Sequence, residues 1–484
     1  MAKRKMSTFE RLTTGKMNRS QRRELGRRVA ASDPGLTIVH PNAAGIDVGN
    51  ESHFVAVPAD RDEHPVREFG CWTAALNQIA EWLISCRIDT VAMQATGVYW
   101  IALYDVLEQH GIRVALVNAQ HTKNVPGRKT DVQECQWLMK LHTYGLMRDS
   151  FRLQQDMEAV RTIWRVRDRH VKEAGRAVQH MQKAMTKMNI QLANTISDVS
   201  GVSGQAIIAA ILTGERDPYK LAALADYRIK ASREQVARSL EGNWRADVLF
   251  ELQQAVDSYH FAHRQMQQCD EQLRLYLASL PTRLLDQPAQ PAGAPENPAR
   301  KSKKPRKPRD NEPRMDMTEE LKRICGVDLT SIDGIHVMTA FTVISEVGTD
   351  MSRFPDENHF ASWMGLTPSK DITGGKVIGP AKKKVKNRAA GALRTAATTL
   401  LESDTHLGAR YRYLRRQLPT FKSAVKAMAR YLALLIYRLL TKGEAWVDRG
   451  AAQFEKRRLQ RELVGLQTKA KARGFLLVPL AEAR

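Results

Sequence analysis

An acidic side chain in a β-core is costly unless a cation sits against it. The stretch Ala44-Gly45-Ile46-Asp47-Val48-Gly49-Asn50-Glu51 puts one there. It reads as a strand, a turn and a second strand through Ser52 to Val57, with Asp47 flanked by Ile46 and Val48. Asp47 is therefore a candidate metal ligand. Asp131 and Glu134 lie three apart in a helical pattern, so both carboxylates share a face. If that face meets the Asp47 strand, three acids converge. Paired acids of this kind hold Mg2+ or Mn2+, and two such ions can activate both oxygens of a phosphoryl transfer. Acids in a first helical turn also suit the helix dipole with no metal present, so spacing alone leaves both readings open.

The elements that must position these acids follow from periodicity. After the first two strands, Leu76, Ile79, Ala80 and Leu83 predict a helix from Thr73 to Ser85. Asp89 to Thr96 reads as a third core strand with Gln94 near its end. A helix from Tyr99 to His110, a strand from Arg113 to Asn118 and a helix from Asp131 to Tyr144 complete residues 41–150. Strands first, then alternating helices, predict an RNase H-like α/β plan. Residues 1–40 read as a basic arm that is mobile until a nucleic acid orders it.

Residues 151–285 change character. Met157, Trp164, Val171, Val178, Met185 and Leu192 repeat every seven residues, interleaved with Val160, Arg167, Ala174, Met181 and Met188. A second such helix runs from Leu249 to Leu280. This pattern predicts a coiled coil or long antiparallel helix pair, serving as an intramolecular hairpin or a dimerisation arm. Residues 286–316 hold seven prolines and a Lys/Arg block, Arg300 to Arg309, and read as a disordered linker. From 317 to 448 a mainly helical domain follows. Leu329 to Gly348 reads there as two helices joined at Gly334, a helix-hairpin-helix that would offer backbone N–H groups to a phosphate. Asp371-Ile-Thr-Gly-Gly-Lys376 forms a donor-rich loop, and Lys382, Arg388 and Arg394 mark a basic helix start. Residues 449–484 are a charged, helix-prone tail.

The 484 residues carry 75 Lys and Arg against 52 Asp and Glu, a net charge of +23. Such an excess points to a polyanionic partner. The five cysteines form no CxxC pair and no zinc spacing, which argues for a reducing cytoplasm. No signal peptide is evident. The apolar stretch Ala424 to Leu440 is broken by Lys426, Arg430 and Arg438, so it reads as amphipathic and not as a membrane span.

Gly45-Ile-Asp47-Val, Val91 to Trp100, Val117-Asn-Ala, Gly127-Arg-Lys-Thr-Asp131-Val-Gln-Glu134-Cys-Gln-Trp137 and Tyr144-Gly-Leu-Met resemble the insertion sequence 110 family, in the manner of its 1111 subgroup. These are DEDD transposases with a RuvC-like domain. Phe354-Pro, Ala361 to Pro368, Thr373-Gly-Gly-Lys, Asn387-Arg and Ala392-Leu-Arg394 resemble that family's second transposase domain. The resemblance covers roughly residues 43–152 and 320–440.

The resemblance implies a recombinase that mobilises its own insertion sequence in a bacterial cytoplasm. A structured bridge or seeker RNA would pair with donor and target double-stranded DNA, and the enzyme would act as a tetramer, a dimer of dimers. The acids of one subunit and the second domain's serine of another would form a composite site. Onto this chain it carries Asp47, Gln94, Asp131 and Glu134 as metal ligands and Thr373 as nucleophile, with Ser369 and Ser362 in reserve. Gly334, Gly374, Gly375, Lys376, Lys382, Arg388, Arg394, Arg128 and Lys129 would contact nucleic acid. Two departures matter. Gln94 stands where the family has an acid, with Glu51, Asp105 or Glu108 as possible compensation, and Glu134 stands for an Asp. Thr373 stands for the serine, and is β-branched and more crowded. The alternatives are a metal-only junction-resolving nuclease and a non-catalytic RNA- and DNA-binding relic.

Overall fold

The short apolar runs between residues 43 and 117 fold into one sheet in the computed structural model. It describes residues 19–30, 35–95, 97–118, 130–147, 149–283, 311–368, 370–373, 376–380, 387–443 and 450–478. The chain divides into two units, residues 1–152 with 370–381, and residues 153–369 with 382–484.

In the first unit, helix α1 (Arg19–Ala30) precedes strands β1 (Ala43–Val48), β2 (Ser52–Ala56) and β3 (Val66–Gly70). Helix α2 (Thr73–Ser85), β4 (Thr90–Gln94), α3 (Trp100–Gln109), β5 (Arg113–Val117) and α4 (Asp131–Thr143) follow. The sheet order is β3-β2-β1-β4-β5. β1 runs antiparallel to β2 and parallel to β4, and β4 runs parallel to β5. The parallel pairs need crossovers, and the β4-α3-β5 connection supplies one.

Period-two alternation sorts the central strands onto two faces. Ile46, Val48, Val91, Met93, Val114 and Leu116 pack with Leu76, Ile79, Leu83, Leu103 and Leu107 of α2 and α3. The other face meets α4, where Leu138 packs with Ala92 and Val117. The result is a mixed sheet with helices on both sides.

One strand was not read from the sequence, and one expectation is corrected. β3 lies between Val57 and the helix at Thr73, where the spacing predicts no element. Its Arg67 and Glu68 mask the alternation, as charge does on edge strands. Within the basic arm, α1 is not a free segment: Leu25 and Val29 are buried against Leu146, with Trp137, Leu141 and Tyr144 around them.

The second unit is helical. Helices α5 (Gln155–Lys187) and α10 (Ala246–Ser279) run antiparallel, since Lys187 pairs with Glu251 at one point and Arg167 with Asp270 further along. Between them lie four short helices: α6 (Leu192–Thr195), α7 (Val202–Leu212), α8 (Pro218–Ala223) and α9 (Arg233–Ser239). Val160, Ala174, Met181 and Met185 of the seven-residue pattern are buried, and so is its polar exception, Arg167, only 2% exposed. Its guanidinium also donates to the Asn311 carbonyl at 3.0 Å. Asn311 belongs to the stretch read as a linker, whose residues 286–310 lie outside the described residues.

The remaining helices are α11 (Met317–Cys325), α12 (Val337–Val347), α13 (Glu357–Trp363), α14 (Arg388–Thr399), α15 (His406–Gln417), α16 (Phe421–Lys442) and α17 (Ala451–Lys471). α12 docks on α5 through Phe341, edge-on to Trp164 at 4.6 Å, and through Glu346 paired with Arg165. The helix-hairpin-helix expectation is not confirmed: between Leu329 and Gly348 the chain forms a 3-10 turn, Leu329–Ser331, and the α-helix α12. Gly334 has φ +82, and a Cβ there would press on Leu400 and the Ala396 carbonyl of α14, so its backbone is a packing surface. The expectation of an amphipathic helix near Ala424 agrees with α16, which buries Ala424, Val425, Met428, Leu432 and Ile436. Among the described residues no helix is long and apolar enough to cross a membrane.

Removing one partner of a buried ion pair strands the other charge, typically at about 3–5 kcal/mol. Arg167→Met alone should lower the urea midpoint of this unit. The double variant Arg167→Met/Asp270→Leu should recover most of that loss.

Candidate active site

Helix α4 and strand β4 are matched in period. Two residues of a strand advance about 6.6 Å and four residues of a helix about 6.0 Å, so three successive contacts stay in step. Thr90 meets His142, Ala92 meets Leu138, and Gln94 meets Glu134. The ladder runs α4 antiparallel to β4 and delivers Glu134 to the strand's C-terminal end.

Gln94 is 5% exposed, and its Nε2 donates to Glu134 Oε2 at 3.2 Å. A carboxylate only accepts, so the amide nitrogen is the atom that faces Glu134 and Oε1 points elsewhere. Gln94 thereby orients Glu134 with a neutral donor where a second acid would repel it.

β1 brings Asp47 to the same end and the same face. Gly45 and Asp47 are two apart and project together. Gly45 lies directly under α4, where a Cβ would fall within the van der Waals contact of the Cys135 carbonyl and the Met139 amide nitrogen. Cys135 is buried beneath this crossing and gives its Sγ hydrogen bond to the Val132 carbonyl at 3.1 Å. Burial pushes its thiol up to about 12, and Asp47 and Asp131 raise it in the same direction, so this sulfur stays protonated and inert. Both acids thus act on one buried atom, Asp47 from the strand and Asp131 from the helix.

Asp131 is the first residue of α4, exposed, behind an N-cap in which Thr130 accepts from the Gln133 amide and Gln133 reaches back to Thr130. The candidate donors are all hard oxygens, which fits a divalent ion in kind. They are not preassembled. Among the described residues no three His, Cys, Asp or Glu side chains stand close enough to hold a metal. Glu51 acts on Cys71, whereas Asp105 and Glu108 are engaged by the Arg152 guanidinium at 2.8 and 3.3 Å.

Thr373 ends β6 (Lys370–Thr373), paired antiparallel with β7 (Lys376–Pro380), and lies opposite Lys376 in register. Gly374, Gly375, Lys382, Ser369, Arg128 and Lys129 lie outside the described residues. Arg388 opens α14 and pairs with Asp168 at 2.9 Å, while Arg394 is exposed one and a half turns later. Ser362 is an exposed residue of α13. The positioning roles of Gly45, Cys135 and the Thr90–His142 pair were not read from the sequence. A glycine inside a strand pattern is the signal that marks such a close backbone approach.

A mixed five-stranded sheet whose helix and strand ends carry oxygen donors is consistent with a DEDD RNase H-like domain, and the domain comparison agrees. A DEDD transposase model of the IS110 group matches residues 44–190, and the model described as transposase IS116/IS110/IS902 family matches residues 328–412. No curated protein matches the chain. The protein is an enzyme of the DNA transposase and recombinase class. It carries the domain pair of the IS110 transposase family, with DNA as partner, and its DEDD domain points to dependence on a divalent metal.

The geometry yields two expected outcomes. Gly45→Ala should push α4 off β1 at an overpacking cost of about 1–3 kcal/mol. Urea melts should show the loss, and calorimetry should show weakened divalent-ion binding. His142 is 5% exposed, its Nε2 2.9 Å from Thr90 Oγ1, and burial first, then His40 and Arg113, lower its pKa from 6.5 to about 4. The unfolded chain therefore takes a proton near 6.5 that the fold refuses until about 4. Stability is complete above that window and falls as pH drops through it. His142→Gln should flatten the decline, read as urea midpoints from pH 7.5 to pH 5.

Proposed function

We propose that this chain is an RNA-guided site-specific DNA recombinase that mobilises its own insertion sequence through a covalent threonine–phosphate intermediate. The observation that carries the reading is the common end of β1, β4 and α4, where Asp47 and a Gln94-anchored Glu134 share one face of the sheet.

Asp47, Asp131 and Glu134 would hold the divalent ion, Mg2+ or Mn2+, with Gln94 as an auxiliary ligand. When bound, the ion supplies charge neutralisation at the reacting phosphate and lowers the pKa of an attacking hydroxyl. Thr373 is that hydroxyl. Its Oγ1–phosphorus bond forms as the bond to the departing DNA oxygen breaks, the threonine proton leaves, and the departing oxygen takes one up. Because the phosphoester is retained on the enzyme, a new DNA end can reverse the step and complete strand exchange.

Gly374, Gly375 and Lys376 give this phosphate backbone and ammonium donors. Arg394, Lys382, Arg128 and Lys129 add sequence-independent backbone contacts. Arg388 joins them on leaving Asp168. The basic N-terminal segment and the RuvC-like domain hold a guide RNA, in keeping with the +23 net charge. The long antiparallel helices are a coiled-coil arm through which copies assemble, as a dimer of dimers.

The test is recombination of matched donor and target plasmids in cells supplied with the element's flanking RNA, with a denaturing gel for protein-linked DNA. Product and adduct should both vanish in Thr373→Ala and in Asp47→Ala. Product persisting in Thr373→Ala would remove the threonine nucleophile and leave a metal-only nuclease. Recombination that needs no RNA would remove the guide.

A further inference from the structure

Most packed arginines of the helical unit have an acid. Arg165 has Glu346, Arg167 has Asp270, Arg438 has Glu357, and Arg458 has Glu455 and Glu462. Arg410 on α15 is different. It is half-buried, its guanidinium carbon stands 3.9 Å above the ring of Tyr431 on α16, and its Nε is shut off from solvent without a hydrogen-bond partner. The cation that acts on it is Arg461 of α17, which makes no ion pair or hydrogen bond among the described residues. Burial lowers the pKa of Arg410 from its ordinary value and Arg461 acts in the same direction, with Tyr431 and Tyr413 opposing.

A guanidinium keeps its proton in a protein. Arg410 therefore remains a partly desolvated cation within electrostatic reach of a second cation, an arrangement that costs free energy until an anion arrives. Stacking on Tyr431 already restricts its rotamers, so less entropy is lost when a ligand binds. Each guanidinium is a planar fork that matches the oxygens of a phosphate. A carboxylate already sits on the neighbouring cation: Arg458 pairs with Glu455 and Glu462 beside Tyr413. Arg410 and Arg461 have no such carboxylate among the described residues.

We propose that Arg410 and Arg461, framed by Tyr431 and Tyr413, form a phosphate site that takes one phosphodiester of the DNA backbone. The site rests on the DNA-handling class of the enzyme and needs neither Thr373 chemistry nor a guide RNA. It also gives α17 a function. That helix buries no residue of its own and meets α15 through Phe454, edge-on to His406 at 5.0 Å and to Tyr413 at 6.1 Å. A phosphate held between Arg410 and Arg461 bridges α15 to α17.

The experiment measures binding of full-length protein to a non-specific DNA duplex, and in parallel to a structured RNA, across a salt series. Each phosphate contact contributes about 0.9 to the slope of log affinity against log salt for duplex DNA. Arg410→Gln and Arg461→Gln should each lower the DNA slope by up to that amount and weaken binding several-fold on unrelated sequences alike. The double variant should lose little more than either single one, because both residues hold the same phosphate. DNA should slow amide exchange in α17 of the wild type and not of the double variant. Without nucleic acid, Arg410→Gln should melt no lower than wild type, and Arg461→Gln, at an exposed position, tests the site without touching the packed one. Unchanged DNA slopes in both single variants would overturn the site. Slopes lowered only on RNA would overturn the DNA assignment. A wild type that shows no salt-dependent DNA binding would overturn the DNA-handling reading as well.

Discussion

Helix α4 can lie on the central strand only because position 45 has no side chain. The backbone of Cys135 and Met139 occupies the space a Cβ would need. This close approach sets the height of the helix, and the matched periods of α4 and β4 then set its register. Thr90–His142, Ala92–Leu138 and Gln94–Glu134 are three rungs of one ladder. A helix lifted at Gly45 loses all three together, so the acids depend on a packing contact that involves no acid.

The electrostatics of that end of the sheet follow from the same contact. Cys135 is sealed under the crossing and held neutral. Gln94 contributes an amide hydrogen where another carboxylate would add charge. Asp131 stays in solvent at the dipole-favoured start of the helix.

The helical unit manages its excess positive charge in another way. Arg167 enters an apolar helix seam because Asp270 and the Asn311 carbonyl meet its donors. Arg165, Arg438 and Arg458 each have acids beside them. Pairing of this kind satisfies the packed cations, while the chain as a whole keeps its net charge of +23.

The sequence by itself determined the elements that repeat at a fixed period. The helices at Thr73 and Asp131, the strand at Arg113 and the long seven-residue pattern are all where spacing put them, because burial of one face imposes that spacing locally. Motif order across the chain was likewise legible, and so were the two IS110-type transposase domains. β3 was not, since an edge strand tolerates charge that hides its alternation. Nor was the 3-10 turn before α12, where the tertiary packing of Gly334 against α14 decided the backbone. That Gln94 would serve Glu134 through its nitrogen, that Gly45 would carry a helix, and that Arg410 would be left without an acid are contacts between residues far apart in the chain. Such contacts depend on which faces meet, and side-chain period alone carries no information about that.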